Sequence, residues 1–333
     1  MNYSFNRNNK VFIVAEIGNN HEGSFDLALE MVEAAAKTGV DAVKFQTFIP
    51  AKYVSSEDSV RLERLNKFKL SNEQYLQIAK RAEELGIVFF STPFDLESAA
   101  FLNKIQPIFK ISSGDNNFFP LIEEVASYKK PTIISSGLAD LGALKYLVDF
   151  WHGIGGRDEN LIIMHCVSSY PVPVDQANLR AISTLKNIFP NLIIGYSDHT
   201  LGIQACVLAV AAGAGVIEKH FTLSKNQSDF RDHQLSADPL EMRSLVTQVR
   251  EASILLGSGV KNLQPCEIDM VKLMRRSIAA SHALNAGQLI CKEDLTWVRP
   301  GNGFSVGREN EVIGKKILRD VIQGELITKD NLI

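Results

Sequence analysis

Eight short apolar runs punctuate the chain, at residues 11–17, 41–46, 88–92, 108–112, 132–135, 162–166, 193–197 and 216–221. Between them lie stretches whose apolar positions recur at helical spacing, among them 25–38, 72–85, 201–214 and, after the eighth run, 239–256. A strand that is apolar throughout, without alternation, is buried on both faces, as in a parallel sheet covered by helices. Eight such units in about 250 residues predict an α/β fold closed into a (β/α)8 TIM barrel. An open, doubly wound sheet is the alternative use of the same units.

The pattern changes after Gly257-Ser258-Gly259. A polar connector over 259–274 leads into a segment with an internal echo: Ala-Gly-Gln-Leu-Ile-Cys-Lys-Glu-Asp-Leu at 286–295 and Gln-Gly-Glu-Leu-Ile-Thr-Lys-Asp-Asn-Leu at 323–332. Each copy places glycine in a turn, then an apolar pair, then a polar residue able to start a helical turn. The expected organisation is therefore a barrel over 1–258, a linker over 259–274 and a small β-rich module over 275–333.

Composition narrows the class of function. The chain's 333 residues, 45% of them hydrophobic, suffice for a full core and a second module. A formal charge of −3 supplies no broad basic field, which argues against nucleic acid as a partner. Four cysteines without Cys-x-x-Cys spacing indicate neither a zinc knuckle nor a disulfide framework. A polar N-terminus and the lack of a bilayer-length apolar run point to a cytoplasmic protein without membrane attachment.

Candidate chemistry gathers where the strands end, the rim at which such barrels work. Glu16 closes the first run, Lys44 and Gln46 the second, Thr92 the third, Lys110 and Ser113 the fourth. Ser135 closes the fifth, Ser168 follows the sixth, Ser197 and His199 close the seventh, and Glu218 and His220 the eighth. Side chains two residues apart share a face, so Lys44 with Gln46, Ser197 with His199, and Glu218 with His220 are expected to point inward together. Either glutamate alone could simply pair with a buried lysine. Ser136 reads as a turn former or cap, and His165 as a core histidine outside any metal site. Lys44 and Lys110 with Thr92, Ser113, Ser135 and Ser197 form a cradle suited to a phosphate and a carboxylate together, although a buried lysine could also serve as an imine-forming nucleophile. His199 and His220, on adjacent strands, propose a divalent cation, Mn²⁺ or Mg²⁺ with Zn²⁺ open.

Seven strings carry a resemblance: Val14-Ala-Glu-Ile-Gly-Asn-Asn-His-Glu-Gly23, Lys44-Phe-Gln-Thr47, Ser91-Thr-Pro-Phe94, Lys110-Ile-Ser-Ser-Gly114, Tyr196-Ser-Asp-His-Thr200, Glu218-Lys-His-Phe221 and Arg299-Pro-Gly-Asn-Gly303. In this order, over nearly the whole chain, they resemble the sialic acid synthase family. The resemblance implies a C-terminal antifreeze-like (SAF) domain and a homodimer with that domain swapped. It implies condensation of phosphoenolpyruvate with the open-chain form of an N-acetylmannosamine-like sugar, giving a nine-carbon 2-keto-3-deoxy acid and phosphate. By carry-over, Lys44, Thr92, Lys110, Ser113, Ser135, Ser168 and Ser197 would hold phosphoenolpyruvate. His199 and His220 would hold Mn²⁺, with Mg²⁺ or Co²⁺ as alternatives, and Glu16 would be the acid/base residue. Tyr170 and Asp232 would contact the sugar, and Arg299 would reach it from the partner.

Two departures from the family pattern bear on substrate. Ser168 stands where the family often has asparagine, and residues 223–231 lack the usual Pro-Gly-rich form, leaving Asp229 in competition with Asp232. A legionaminic acid synthase is therefore the main alternative. The Ile17-to-His21 form speaks against a pseudaminic acid synthase. A pyruvate aldolase and a non-catalytic sugar-binding protein are the readings from other classes.

Overall fold

The structure is a computed structural model that describes Phe5 and residues 10–333. Two compact units divide at Gly257 and Ser258. In the first, eight strands alternate with helices: β1 (Phe12–Gly18), β2 (Ala42–Thr47), β3 (Val88–Pro93), β4 (Phe109–Ile111), β5 (Thr132–Ser135), β6 (Leu161–Cys166), β7 (Ile193–Asp198) and β8 (Val216–His220). All pair in parallel in the order β3-β2-β1-β8-β7-β6-β5-β4. The first strand thus pairs with the last, which excludes the open doubly wound arrangement. β3 and β4 lie side by side without ladder pairing, so the barrel is nearly closed.

Strand parity builds two cores and a site from one pattern. Ile13, Val43, Ile134, Ile163 and Ile217 face outward onto helix residues such as Ala28, Met31, Leu121 and Leu245. Phe12, Val14, Ala42, Phe90, Ile133, Ile162, Met164 and Val216 fill the barrel interior from its amino end. Continuing each inward row toward the carboxyl end gives Glu16, Lys44, Thr92, Lys110, Ser135, Cys166, Ser197 and Glu218. The interior is tight enough at Gly195 that a Cβ there would lie 2.9 Å from the Val216 carbonyl oxygen.

The helices keep close to their expected bounds, with Phe25–Ala36, Asn72–Glu84, Gln204–Ala211 and Pro239–Leu256 observed. Capping boxes fix two of them: Ser71 with Gln74, and Asp238 with Glu241. One excursion was not anticipated: after β2 the chain forms helices Pro50–Tyr53 and Ser59–Phe68 before the barrel helix begins. Tyr53, Leu65 and Phe68 from this excursion join Phe48 and Phe94 in a separate small apolar cluster.

In the second unit β9 (Ser277–Ala280) pairs antiparallel with β10 (Leu295–Val298), over a core that includes Ile278, Leu284, Ile290, Val312, Ile317 and Ile327. The internal echo is structural. Gly287 and Gly324 have φ of 82° and 79°, and each copy ends in a one-turn 3-10 helix, Lys292–Asp294 and Lys329–Asn331, closed by a capping box. Residues 259–274, expected as plain connector, carry a 3-10 turn at Pro265–Glu267 and a helix at Ile268–Met274. Among the described residues no helix is long and apolar enough to cross a membrane.

Candidate active site

The carboxyl-end rim of the first unit surrounds a cavity of about 300 Å³, lined by Glu16, Lys44, Thr92, Lys110, Ser113, Ser135, Ser168, Tyr170, Ser197, His199, His220 and Asp232. These are all the sequence-derived site residues except Arg299. Arg299 lies in the second unit, where its Nε donates to the Met274 carbonyl at 2.8 Å. Asp232, and not Asp229, borders the cavity.

Lys44 is the hub. Its Nζ lies 2.8 Å from Glu16 Oε2 and 3.6 Å from Glu218 Oε1, and donates to Thr92 Oγ1 at 3.2 Å. Gln46 Nε2 donates to Glu16 Oε1 at 3.0 Å, and Ser197 Oγ to Glu218 Oε1 at 2.9 Å. The pairing of a strand glutamate with a buried lysine, considered from sequence as an alternative to chemistry, is thus present, and it lines the cavity. Lys110 Nζ donates to Ser135 Oγ at 2.6 Å. Ser113 Oγ accepts from the Gly137 amide at 3.2 Å. A Cβ at Gly137 would fall 2.3 Å from Ser168 Oγ and 2.6 Å from Ser113 Oγ, so only glycine lets both serines reach the cavity.

Their neighbours, acting against burial, separate the two carboxylates. Burial raises the pKa of Glu16 to about 7, opposed by Lys44 and assisted by Glu218. Burial also presses on Glu218, but Lys110, Lys44 and the Ser197 hydroxyl more than offset it and hold its pKa below the usual value. Two glutamates on one lysine therefore divide into a titrating group and a fixed anion, the arrangement by which enzymes assign acid and base roles. Burial disfavours the Lys44 ammonium, yet Glu16 and Glu218 leave its pKa raised. Lys110 is lowered, chiefly by burial.

His199 and His220 face each other with ring centroids 5.4 Å apart. Burial lowers the pKa of both, and for His220 the neighbouring His199 adds to it, so both rings are neutral and able to ligate a cation. His199 Nδ1 donates to the Val167 carbonyl at 2.9 Å, which leaves Nε2 as the acceptor. With a metal–nitrogen bond of about 2.1 Å, two imidazoles on one ion place their centroids about 5 Å apart, close to the separation seen. Among the described residues no group of three or more His, Cys, Asp or Glu side chains forms a metal cluster. The donor set available to a cation is therefore the two imidazoles. Ser168 Oγ, Glu218 Oε2 and His220 Nδ1 are buried without a hydrogen-bond partner. Each such group costs about 1–3 kcal/mol unless a ligand satisfies it.

Tyr170 packs on His199 at 4.1 Å between ring centroids, and the Arg231 guanidinium lies over the same ring, 5.0 Å from its centroid. Burial raises the Asp232 carboxyl, against the pull of Arg231. His165 is tied through Nε2 to the Ala177 carbonyl at 2.8 Å and stacks on Tyr196, the core role expected of it. Sequence reasoning left Cys166, Asn19, Arg61, Arg64 and Phe230 unassigned, and all line the cavity. Cys166 continues the inward parity of Ile162 and Met164 and was legible on that ground. Arg61 and Arg64 ride on the unanticipated helix Ser59–Phe68, which no strand-end rule reveals.

The profile of the NeuB family matches residues 31–261. The chain belongs to the NeuB family. A SAF domain profile matches residues 275–333, so this NeuB protein carries the antifreeze-like module that the resemblance implied. It is 37% identical over 332 residues to the N,N'-diacetyllegionaminic acid synthase of Campylobacter jejuni, covering 96% of this chain and 99% of the relative. It is 34% identical over 338 residues to the pseudaminic acid synthase of the same organism, with 97% of each chain covered. Among solved structures it resembles the N-acetylneuraminic acid (sialic acid) synthetase of Leptospira borgpetersenii, in complex with citrate. There the TM-score is 0.75 at 35% identity, covering 79% of this NeuB chain and 91% of that one.

Proposed function

We propose that the protein condenses phosphoenolpyruvate with the open-chain form of an N-acetylmannosamine-type sugar, releasing phosphate and a nine-carbon 2-keto-3-deoxy acid. The observation that carries this reading is one cavity holding a titrating Glu16, an anionic Glu218, two buried lysines and two neutral histidines. Lys44 and Lys110, with Thr92, Ser113, Ser135, Ser168 and Ser197, hold the phosphate and carboxylate of phosphoenolpyruvate. His199 and His220 hold a divalent cation, Mn²⁺ before Mg²⁺ or Co²⁺, which supplies Lewis acidity when bound.

Carbon 3 of the enol attacks the sugar aldehyde carbon, and the new C–C bond leaves positive charge at C2. Glu16, with a pKa near neutrality, gives its proton to the aldehyde oxygen as that becomes a hydroxyl, then takes one from the water that adds at C2. The C2–O bond to phosphate then breaks, the new C2 hydroxyl becomes the keto group, and its proton leaves with the phosphate. Glu218 and Ser197 keep Lys44 in place throughout, and the fixed dipoles stabilise C2 without reorganisation. Tyr170 and Asp232 orient the sugar, with Arg299 supplied by the partner in a homodimer.

The second reading, a 2,4-diacetamido-2,4,6-trideoxymannose substrate, is favoured by Phe68, Phe94 and Phe230 on the cavity wall, which suit a 6-methyl group. Phosphate release measured with phosphoenolpyruvate, Mn²⁺ and each sugar in turn distinguishes the two. A chain that forms an imine with pyruvate, trapped on Lys44 or Lys110 by borohydride, would replace both readings with an aldolase.

A further inference from the structure

One buried ionic group takes no part in this chemistry. Asp198 and Lys219 are partners in register across the β7–β8 ladder, on the helix-facing side, with side-chain exposures of 0% and 1%. Lys219 Nζ lies 2.8 Å from Asp198 Oδ2 and donates to the Thr200 carbonyl at 2.6 Å. Asp198 Oδ1 accepts from the Tyr196 hydroxyl at 2.9 Å and from the Thr200 amide at 2.9 Å, and Oδ2 accepts from Cys206 Sγ at 3.4 Å.

Such a pair is a poor source of stability. Removing two charges from water offsets most of their attraction, and apolar side chains of similar volume often serve the fold as well. Its effect is on geometry. Both backbone polar groups of Thr200 are engaged, one by each member, so the chain on either side of His199 is held. Lys219 is in turn tied to the same carboxylate, which locks β8 to β7 at that level. His199 and His220 each follow one member of the pair by one residue, and strand alternation turns them to the opposite face, into the cavity.

We propose that Asp198 and Lys219 form a positioning pair for the two-histidine cation site, setting the separation and direction of His199 and His220 from behind the barrel wall. This rests on the reading that the two histidines hold a cation. Tyr196 and Cys206 belong to the device as donors that orient the Asp198 carboxylate.

The test uses the full-length chain stripped of metal, with Mn²⁺ binding followed by the electron paramagnetic resonance of the free ion and unfolding followed by circular dichroism. In the double variant Asp198→Leu/Lys219→Met the Mn²⁺ Kd weakens by about tenfold or more. The metal-free Tm stays within about 5 °C of the parent, and excess Mn²⁺ restores phosphate release. A double variant that binds Mn²⁺ as tightly as the parent overturns the proposal. Should the double variant not fold, Tyr196→Phe, which removes one donor to Asp198, is expected to weaken Mn²⁺ binding several-fold at little cost in Tm, and an unchanged Kd there overturns it equally. A parent chain that binds no Mn²⁺ at all removes the cation reading and the proposal with it, an outcome distinct from a parent that binds and a variant that matches it.

Discussion

Replacing Glu16 with glutamine isolates the titration on which the acid/base assignment depends. Glutamine keeps the shape of a protonated glutamate and can still meet Gln46, while Lys44 retains Glu218 as its anion. The pKa of Glu16 is raised from 4.5 to about 7, with burial the main cause. The folded state therefore holds this proton more tightly than the unfolded chain. The associated stability is fully present below pH 4.5 and is lost as pH rises through 7, by about 3 kcal/mol at 1.36 kcal/mol per pH unit. His21 acts with the opposite sign in an overlapping window, so the parent profile alone can be flat and the difference between the chains is diagnostic. Urea midpoints of metal-free parent and Glu16→Gln, taken from pH 4.5 to 8, should show the variant gaining about 3 kcal/mol relative to the parent across that range. A constant difference would mean that Glu16 titrates as an ordinary surface carboxyl, and the argument from its burial would fail. In turnover, the same substitution should lower kcat by at least about a hundredfold and abolish the limb of the pH profile near 7.

Gly137→Ala drives a Cβ into Ser113 and Ser168, so the KM for phosphoenolpyruvate should rise about tenfold or more, equivalent to the loss of one good hydrogen bond; a steady-state titration checks it. His21 has its pKa lowered to about 4, first by burial with Glu22 opposing. A histidine neutral in the fold contributes stability above pH 6.5 that is lost as pH falls toward 4, about 3 kcal/mol in all, so in urea midpoints the parent should gain that much relative to His21→Gln as pH rises from 4 to 6.5. If Arg299 reaches the sugar from a partner chain, mixing inactive Glu16→Ala and Arg299→Ala chains should restore about a quarter of parental activity per protomer once dimers exchange; no recovery after exchange would place Arg299 on its own chain's site, and an Arg299→Ala chain active by itself would place it on none.

Most of the site was legible because a barrel strand is a ruler. Once Lys44 and Gln46, or Glu218 and His220, are assigned to one face, their convergence at the rim follows from alternation alone, and Cys166 could have been added by the same count. Closure followed from the number of units, and the structure realises it in the β1–β8 pairing. What alternation does not carry is anything that leaves the strand ladder. The helix Ser59–Phe68, with Arg61 and Arg64, is held by a small apolar cluster formed from Phe48, Leu65 and Phe94, contacts distant in sequence that no local pattern encodes. The choice between Asp229 and Asp232 also depended on a loop, which Glu22 secures through Ser228 Oγ at 2.6 Å and His233 Nε2 at 3.0 Å. The division of labour between Glu16 and Glu218 was hidden for a different reason. Both are strand-end glutamates of the same type, and only the distances to Lys44, Lys110 and Ser197 make one anionic and leave the other to titrate.

The central claim is that one cavity joins an enol phosphate to a sugar aldehyde. It is tested most directly by incubating the purified chain with Mn²⁺, phosphoenolpyruvate and either N-acetylmannosamine or its 2,4-diacetamido-6-deoxy analogue, while phosphate and the keto acid are measured together. Equimolar phosphate and nine-carbon keto acid, formed with one of the sugars and not without it, is the predicted result. Phosphate release that is indifferent to sugar, or no keto acid with either one, would contradict it.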